Sequence, residues 1–204
     1  VRKELQRKSP SPAGGIEPKL QPNQAVRTSG LARWVCPGGG ILFILAFLGQ
    51  GFAFLVSNSQ TSDEAVHLAS GYSYLTRGDF RLNPEHPTLI KELCALSVLL
   101  AYRIPFQPDE RFWRVGDQWR IGRDFLYSSP QPWDKILTAG RLPNLLLGAG
   151  LVGLIGWWSR RLWGDWAALT AMALAAFEPN LIANSCLVTT DLGAALFTFL
   201  TLYL

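Results

Sequence analysis

An uncharged run from Val35 to Val56 constrains this chain more than any other feature of its sequence. As a helix rising 1.5 Å per residue, the run covers roughly 33 Å, enough for a hydrocarbon core of about 30 Å. A secretory signal peptide has an apolar core of only about 7–15 residues behind a short basic segment. Here a polar stretch of more than thirty residues comes first. The run therefore predicts a first transmembrane helix at residues 35–56.

The composition agrees with a membrane protein, because 49% of the residues are hydrophobic and only 17% are charged, whereas soluble domains carry nearer a quarter. Residues 1–34 are rich in Pro, Ser, Gly and basic groups, which predicts a disordered cytoplasmic tail. The net charge of +4 comes without a nucleic-acid-binding module, so no nucleic-acid partner is expected. Cys36, Cys94 and Cys186 form no CxxC pair. Buried free thiols are the favoured interpretation over a Cys94–Cys186 disulfide.

Three further apolar runs predict a second transmembrane helix at 139–159, a third at 164–184 and the start of a fourth at 191–204. The third run contains Glu178-Pro179, which predicts a polar, kinked end. The fold class is therefore all-α: a polytopic integral membrane protein. Because the fourth run is still apolar at Leu204 and the chain begins with Val, we interpret the sequence as a piece of a longer protein. A naturally small protein is the alternative.

Basic residues predict the orientation of these helices. Cytoplasmic loops carry an excess of Lys and Arg, which places the N-terminus and the Arg160-Arg161 turn in the cytoplasm of an inner (cell) membrane protein. Residues 57–138 then form a large extracytoplasmic loop with interfacial helices, because loops beyond about 60 residues cross regardless of charge. In this topology Asp63 and Asp191 lie on the outer side, each at the end of a membrane helix.

An acidic pair and a histidine open this loop. On a helix Asp63 and His67 share one face, and Glu64 lies one turn from His67. Thr61-x-x-Glu64 also matches a capping box, so helix capping is the simpler interpretation of the pair. A metal site would have to use Asp63, His67, Glu85 and His86. The chain has only two histidines and no metal-binding motif, so neither a metal nor another cofactor is expected.

The segment "NPEHPTLIK" follows in the same loop. Its Asn-Pro and His-Pro steps favour extended or turn backbone. The apolar helix that it opens, of roughly 13–15 residues, is too short to span a bilayer and suits the interface. Glu85, His86 and Lys91 would then lie at headgroup depth, where His86 and Lys91 could hold a phosphate. The alternative is that His86 caps a helix and Lys91 extends its charge to the water.

Three segments, "DEAVH…GYSYLTRGDFRLNPEHPTLIK", "TAGRLPNLLLG" and "EPNLIANSCLVTTDLGAALF", resemble the N-terminal third of a GT-C membrane glycosyltransferase that uses a polyprenyl-phosphate sugar. That group includes the protein O-mannosyltransferases and the aminoarabinose transferase of lipid A. The resemblance covers roughly Gly39 to Leu204. It implies that Asp63 activates the acceptor beside Glu64, and that Asp191 is the second acidic residue, at the start of the fourth helix.

The resemblance also covers the "HPPLxK" segment of the family, which matches His86, Pro87, Leu89 and Lys91 with Thr88 in place of the second Pro. A lysine that contacts the carrier phosphate stands at the position of His86 in the aminoarabinose branch. His67 departs by one position from the spacing of the eukaryotic mannosyltransferases and is closer to that of bacterial members.

The expected function is an inverting transfer of a sugar from a polyprenyl-phosphate carrier to an acceptor hydroxyl of a protein, lipid or glycan on the outer face. Asp63 is the expected base, with Glu64 and Asp191 shaping the site. Glu85, His86, Lys91 and His67 are expected to bind the carrier phosphate or substrate. We expect this segment alone to be inactive. A small non-catalytic membrane protein that binds a lipid carrier or scaffolds a partner is the alternative. A transporter is not expected, because it would show broken helices in inverted repeats.

Overall fold

The computed structural model describes residues 32–204, with side chains from Cys36 onward, and the predicted tail lies almost wholly outside this range. All regular structure in the described range is helical, which confirms the all-α membrane architecture. Its nine helices are α1 Ala32–Ser57, α2 Ser62–Arg77, α3 Thr88–Tyr102, α4 Glu110–Val115, α5 Gln118–Tyr127, α6 Trp133–Trp163, α7 Asp165–Ala176, α8 Pro179–Ser185 and α9 Asp191–Tyr203.

Two of these helices, α1 over Cys36–Ser57 and all of α6, are long and apolar enough to cross a membrane. The α6 helix extends beyond 139–159 at both ends. The segment predicted at 164–184 consists of α7 and α8, which meet at 64° and count as a third span if the bent pair is one crossing. The break falls at Glu178-Pro179, where the Glu178 carboxylate accepts from the Leu181 N–H and caps α8, while Pro179 lacks an N–H to continue α7.

The helices α1, α6 and α8 pack through small residues. A Cβ at Gly148 of α6 would lie 2.2 Å from Ser185 Oγ of α8, and one at Gly51 of α1 would lie 2.4 Å from a Leu145 methyl group. Side chains of α1, α6, α7 and the residue after α8 form the core at this interface, among them Phe47, Leu55, Leu145, Val152, Met172 and Cys186. The opposite face of α1 exposes Ile41, Leu42, Leu45 and Phe52. A membrane helix presents this kind of surface to lipid.

Residues 58–132, here called the connecting module, contain α2 to α5 between α1 and α6. The α2 helix lies at its centre and is buried without interruption from Glu64 to Tyr74. A Cβ at Gly71 would lie 2.1 Å from the Lys91 backbone oxygen of α3, and one at Gly122 of α5 would lie 2.9 Å from the Ala65 backbone. Glycine therefore allows both neighbouring helices to touch the backbone of α2.

The α3 helix has two different faces. Ile90, Cys94 and Val98 are buried in the core of the connecting module, whereas Leu96 and Leu100 are exposed. At fifteen residues α3 is short of a membrane span, as the sequence predicted. All three cysteines are buried free thiols, so the preferred interpretation of the cysteines is confirmed.

Candidate active site

Asp63 lies in the first turn of α2, six residues after Ser57 ends α1, and its side chain is exposed. The Asp63 carboxylate accepts a hydrogen bond from Ser62 Oγ at 3.4 Å. Among the described residues no cation forms an ion pair with it within 4.0 Å. The Asp63 carboxylate can therefore accept further hydrogen bonds from a ligand at the positive end of a helix.

Glu64, the next residue, is fully buried. Its two oxygens form a bidentate pair with the Arg141 guanidinium of α6, with Nε to Oε1 and Nη2 to Oε2 both at 2.7 Å. The Thr61 N–H donates to Oε2 at 2.9 Å, so the predicted capping box is confirmed. The Val188 N–H donates to Oε1 at 3.0 Å. The Glu64 carboxylate therefore joins α2, α6 and the chain before α9.

Arg141, which the sequence reasoning did not assign, is 1% exposed and uses every donor that it has. Besides its bonds to Glu64, Nη1 donates to the carbonyls of Leu55 at 2.8 Å and Asn58 at 2.9 Å, and Nη2 donates to that of Ser59 at 3.0 Å. One side chain thus fixes the end of α1 and the link to α2. The sequence feature that could have identified Arg141 is an arginine within an apolar helix, because a charge at membrane depth requires a partner.

Asp191 is exposed in the first turn of α9. The preceding link is anchored by Asn144 of α6, whose Nδ2 donates to the carbonyls of Leu187 at 2.6 Å and Thr189 at 2.9 Å. Val188 in the same link contacts both Glu64 and His67 of α2. The structure therefore brings the link before α9, three residues ahead of Asp191, against the first turns of α2.

His67 lies one turn after Asp63 and is 4% exposed. Its Nδ1 is 2.7 Å from the Val188 carbonyl oxygen, so Nδ1 carries the proton and donates, leaving Nε2 as the acceptor of the neutral ring. Burial lowers the pKa of His67, and the nearby His86 and Lys91 lower it further, against the opposing effects of the Val188 carbonyl and Asp63. The ring centroid of the exposed His86 is 5.2 Å from that of His67.

Lys91 packs against the turn that carries His86 and is 1% exposed. Its Nζ donates to the Asn83 carbonyl at 2.6 Å, to Tyr74 Oη at 3.0 Å and to Asn83 Oδ1 at 3.2 Å. Burial lowers the pKa of Lys91, although Glu85 and Glu92 oppose the shift. Glu85 is exposed and accepts from Asn83 Nδ2 at 3.0 Å. The charge of the lysine is thus held inside the protein.

A cleft of about 660 Å³ also opens in the connecting module, between residues 105–109 and α5. It is lined by backbone and side chains that include Phe106, Asp124 and Ser128. The predicted site residues do not line it. In the part of the chain that the structure describes, no three His, Cys, Asp or Glu side chains are grouped to hold a metal ion.

The family model for dolichyl-phosphate-mannose-protein mannosyltransferase matches residues 40–204. This chain belongs to the dolichyl-phosphate-mannose-protein mannosyltransferase family. Membership confirms the resemblance seen in the motifs and makes the chain a membrane glycosyltransferase of the class that uses a polyprenyl-phosphate sugar. No curated protein and no solved structure matches the chain.

In this mannosyltransferase chain the predicted site residues fall into two groups. Asp63, Asp191, Glu85 and His86 are exposed, whereas Glu64, His67 and Lys91 are buried. The exposed groups can reach a substrate, whereas Glu64 and Lys91 form their hydrogen bonds within the protein and His67 bonds the Val188 carbonyl through Nδ1. The individual roles of these residues in sugar transfer stay predictions.

Proposed function

We propose that this chain contributes part of the catalytic site of an enzyme that transfers mannose from a dolichyl-phosphate or related polyprenyl-phosphate carrier to a protein hydroxyl. The transfer takes place at the outer face of the membrane and inverts the anomeric carbon. The observation that carries the proposal is the exposed Asp63 carboxylate at the start of α2, held in place by the buried Glu64–Arg141 pair directly behind it. The description of the family supports the protein acceptor and the mannose donor.

The position of Asp63 suits a general base. A sugar on a lipid phosphate arrives at headgroup depth, and α2 begins only a few residues after the membrane helix α1 ends. The Asp63 carboxylate accepts the proton of the acceptor hydroxyl as its oxygen bonds to the anomeric carbon on the side opposite the phosphate. The bond between that carbon and the phosphate oxygen breaks, and its electron pair leaves with the carrier. A positioned base contributes typically about 10²–10⁴-fold to such a step.

His86 and Asp191 complete the proposed site. The exposed His86 ring lies against His67, which is one turn from Asp63, so its free nitrogen can donate to the departing phosphate. A hydrogen bond to an atom that gains negative charge strengthens as the transition state forms. Asp191, which follows three residues after the Val188 amide that donates to Glu64, orients the acceptor. No divalent metal is assigned to the site.

The test is Asp63→Asn in the complete natural protein, with transfer to an acceptor peptide measured at saturating donor. We expect the rate to fall by about 10²-fold or more, with membrane insertion and stability unchanged, because Asp63 is exposed and forms no ion pair with any described residue. Asp134→Asn is the matched control, because Asp134 is also exposed in the first turn of a helix. Undiminished turnover in Asp63→Asn removes Asp63 from the role of base.

A further inference from the structure

We infer that Lys91 is a positioning residue: its buried ammonium ties down the turn from Leu82 to Pro87 and thereby holds His86 against His67, without contacting the carrier phosphate. This inference rests on the proposed function for what His86 does. It differs from the sequence-based expectation, in which Lys91 meets the phosphate directly.

The hydrogen bonds of Lys91 leave it nothing to offer a ligand. An ammonium group has three N–H donors, and Nζ has three oxygens within 3.2 Å, namely Asn83 O, Tyr74 Oη and Asn83 Oδ1. The centroid of the Tyr74 ring lies 5.0 Å from Nζ, close enough for a cation–π contact. With 1% of the residue exposed, a phosphate would have to displace the turn to reach it.

The atoms that Lys91 holds are those that shape the turn. Asn83 has φ of 49°, a left-handed conformation that glycine and, less often, asparagine adopt. The shortest bond from Nζ goes to the carbonyl of this residue. The side chain of Asn83 then donates to Glu85 Oε1 at 3.0 Å, next to His86. A continuous line of contacts thus runs from Lys91 through Asn83 to the residue beside His86.

Two prolines limit how the turn that carries His86 can rearrange. Pro84 and Pro87 flank Glu85 and His86, and each restricts the backbone of the residue before it. The turn therefore has few ways to rearrange while Asn83 is anchored. Because His67 is fixed by the Val188 carbonyl, anchoring the turn sets the 5.2 Å separation of the two imidazole rings.

The cost of burying Lys91 indicates that the charge has a use. Among the described residues no carboxylate lies within 4.0 Å of Nζ, and an apolar side chain of similar length would fill the same space without desolvating a charge. Such a side chain would leave the Asn83 carbonyl without its donor and release the turn. Positioning His86 accounts for the retained ammonium.

The first test is a double-mutant cycle in the complete natural protein, with kcat/KM for peptide mannosylation measured in Lys91→Met, His86→Ala and the double variant. If Lys91 acts through His86, each single variant loses about tenfold or more and the double variant is no more than about twofold worse than the poorer single one, as expected for coupled residues. Losses that multiply mean that Lys91 acts independently of His86, which overturns the inference. Lys135→Met, an exposed lysine in the first turn of α6, is the matched control.

The second test needs no catalysis. Hydrogen exchange of the backbone amides of Asn83, Glu85 and His86 is measured in the resting protein. We expect exchange at least about tenfold faster in Lys91→Met and unchanged in Lys135→Met, because only the first loses the anchor of the turn. Unchanged exchange in Lys91→Met refutes the tether, whether or not the protein transfers mannose. If the wild type shows no transfer, the proposed function fails and exchange alone decides the tether.

A milder variant covers the case in which Lys91→Met does not fold. Tyr74→Phe removes the hydroxyl that bonds Nζ at 3.0 Å and that donates to the Leu82 carbonyl, while it keeps the ring. We expect faster exchange at the same turn, to a smaller extent than in Lys91→Met. Exchange equal to the wild type in Tyr74→Phe also counts against the tether.

Discussion

The buried pair of Glu64 and Arg141 gives the sharpest prediction on stability. Glu64→Ala removes both 2.7 Å bonds to the guanidinium and leaves the positive charge of Arg141 inside the protein with only carbonyl partners. It also removes the acceptor of the Val188 N–H. Breaking a buried ion pair from one side costs about 3–5 kcal/mol, and a natural protein has only about 5–15 kcal/mol of stability in all.

The matched control is Glu110→Ala, which breaks a surface pair of the same residue types. Its partner Arg114 lies at 3.6 Å, and the two side chains are 81% and 69% exposed. A pair of this kind contributes no more than about 0.5 kcal/mol. The free energy of unfolding is measured in mixed detergent micelles as the denaturing detergent is increased, with tryptophan fluorescence as the signal. We expect Glu64→Ala to lower it by about 3–5 kcal/mol and Glu110→Ala to leave it almost unchanged.

The double variant Glu64→Leu/Arg141→Met distinguishes the cost of an unpaired buried charge from the cost of lost packing. It removes both charges and keeps apolar volume. We therefore expect the double variant to be more stable than Glu64→Ala, in which Arg141 is left without its partner. Equal effects of Glu64→Ala and Glu110→Ala would refute the reasoning, because they would mean that water reaches Arg141.

Two further predictions use the same unfolding assay. Gly71→Ala places a methyl group 2.1 Å from the Lys91 backbone oxygen and is expected to cost about 1–3 kcal/mol or more. In Gly49→Ala the new methyl group meets no atom of the described residues within 4 Å, so this variant is expected to be neutral or slightly stabilising. Equal costs would contradict the close packing of α2 on α3. The lowered pKa of His67 means that the unfolded chain binds the proton more readily, so stability should fall as pH drops below about 6.5, by at most about 1.4 kcal/mol per pH unit. A wild-type slope that survives in His67→Asn would show that another group causes it.

The sequence allowed the helices and the local geometry of Glu64 to be predicted, because both follow from neighbouring residues. The apolar run of α1 and the capping pattern of Thr61 and Glu64 need only residues within a turn or a span of one another. The kink at Glu178-Pro179 follows from the missing N–H of proline in the same way.

What escaped prediction depends on contacts between distant parts of the chain. Glu64 looked like a cap because its second partner, Arg141, is 77 positions away. Lys91 looked like a surface group, because nothing in "HPTLIK" shows that Asn83 folds over its ammonium. In both cases the residue type was informative, but its degree of burial came from packing of α2 against α3 and α6.

The same ion pair determines when the site can exist during biosynthesis. Glu64 is translated 77 residues before Arg141 and 124 before Val188. At about 5–20 residues per second, the carboxylate of Glu64 waits roughly 4–15 s for its cation and roughly 6–25 s for the Val188 amide. Until α6 has been inserted, Glu64 has to remain hydrated, and the end of α1 and the link to α2 lack the guanidinium that anchors them. Assembly of the site is therefore a late event, tied to insertion of the second membrane helix, and it cannot be completed by the connecting module alone.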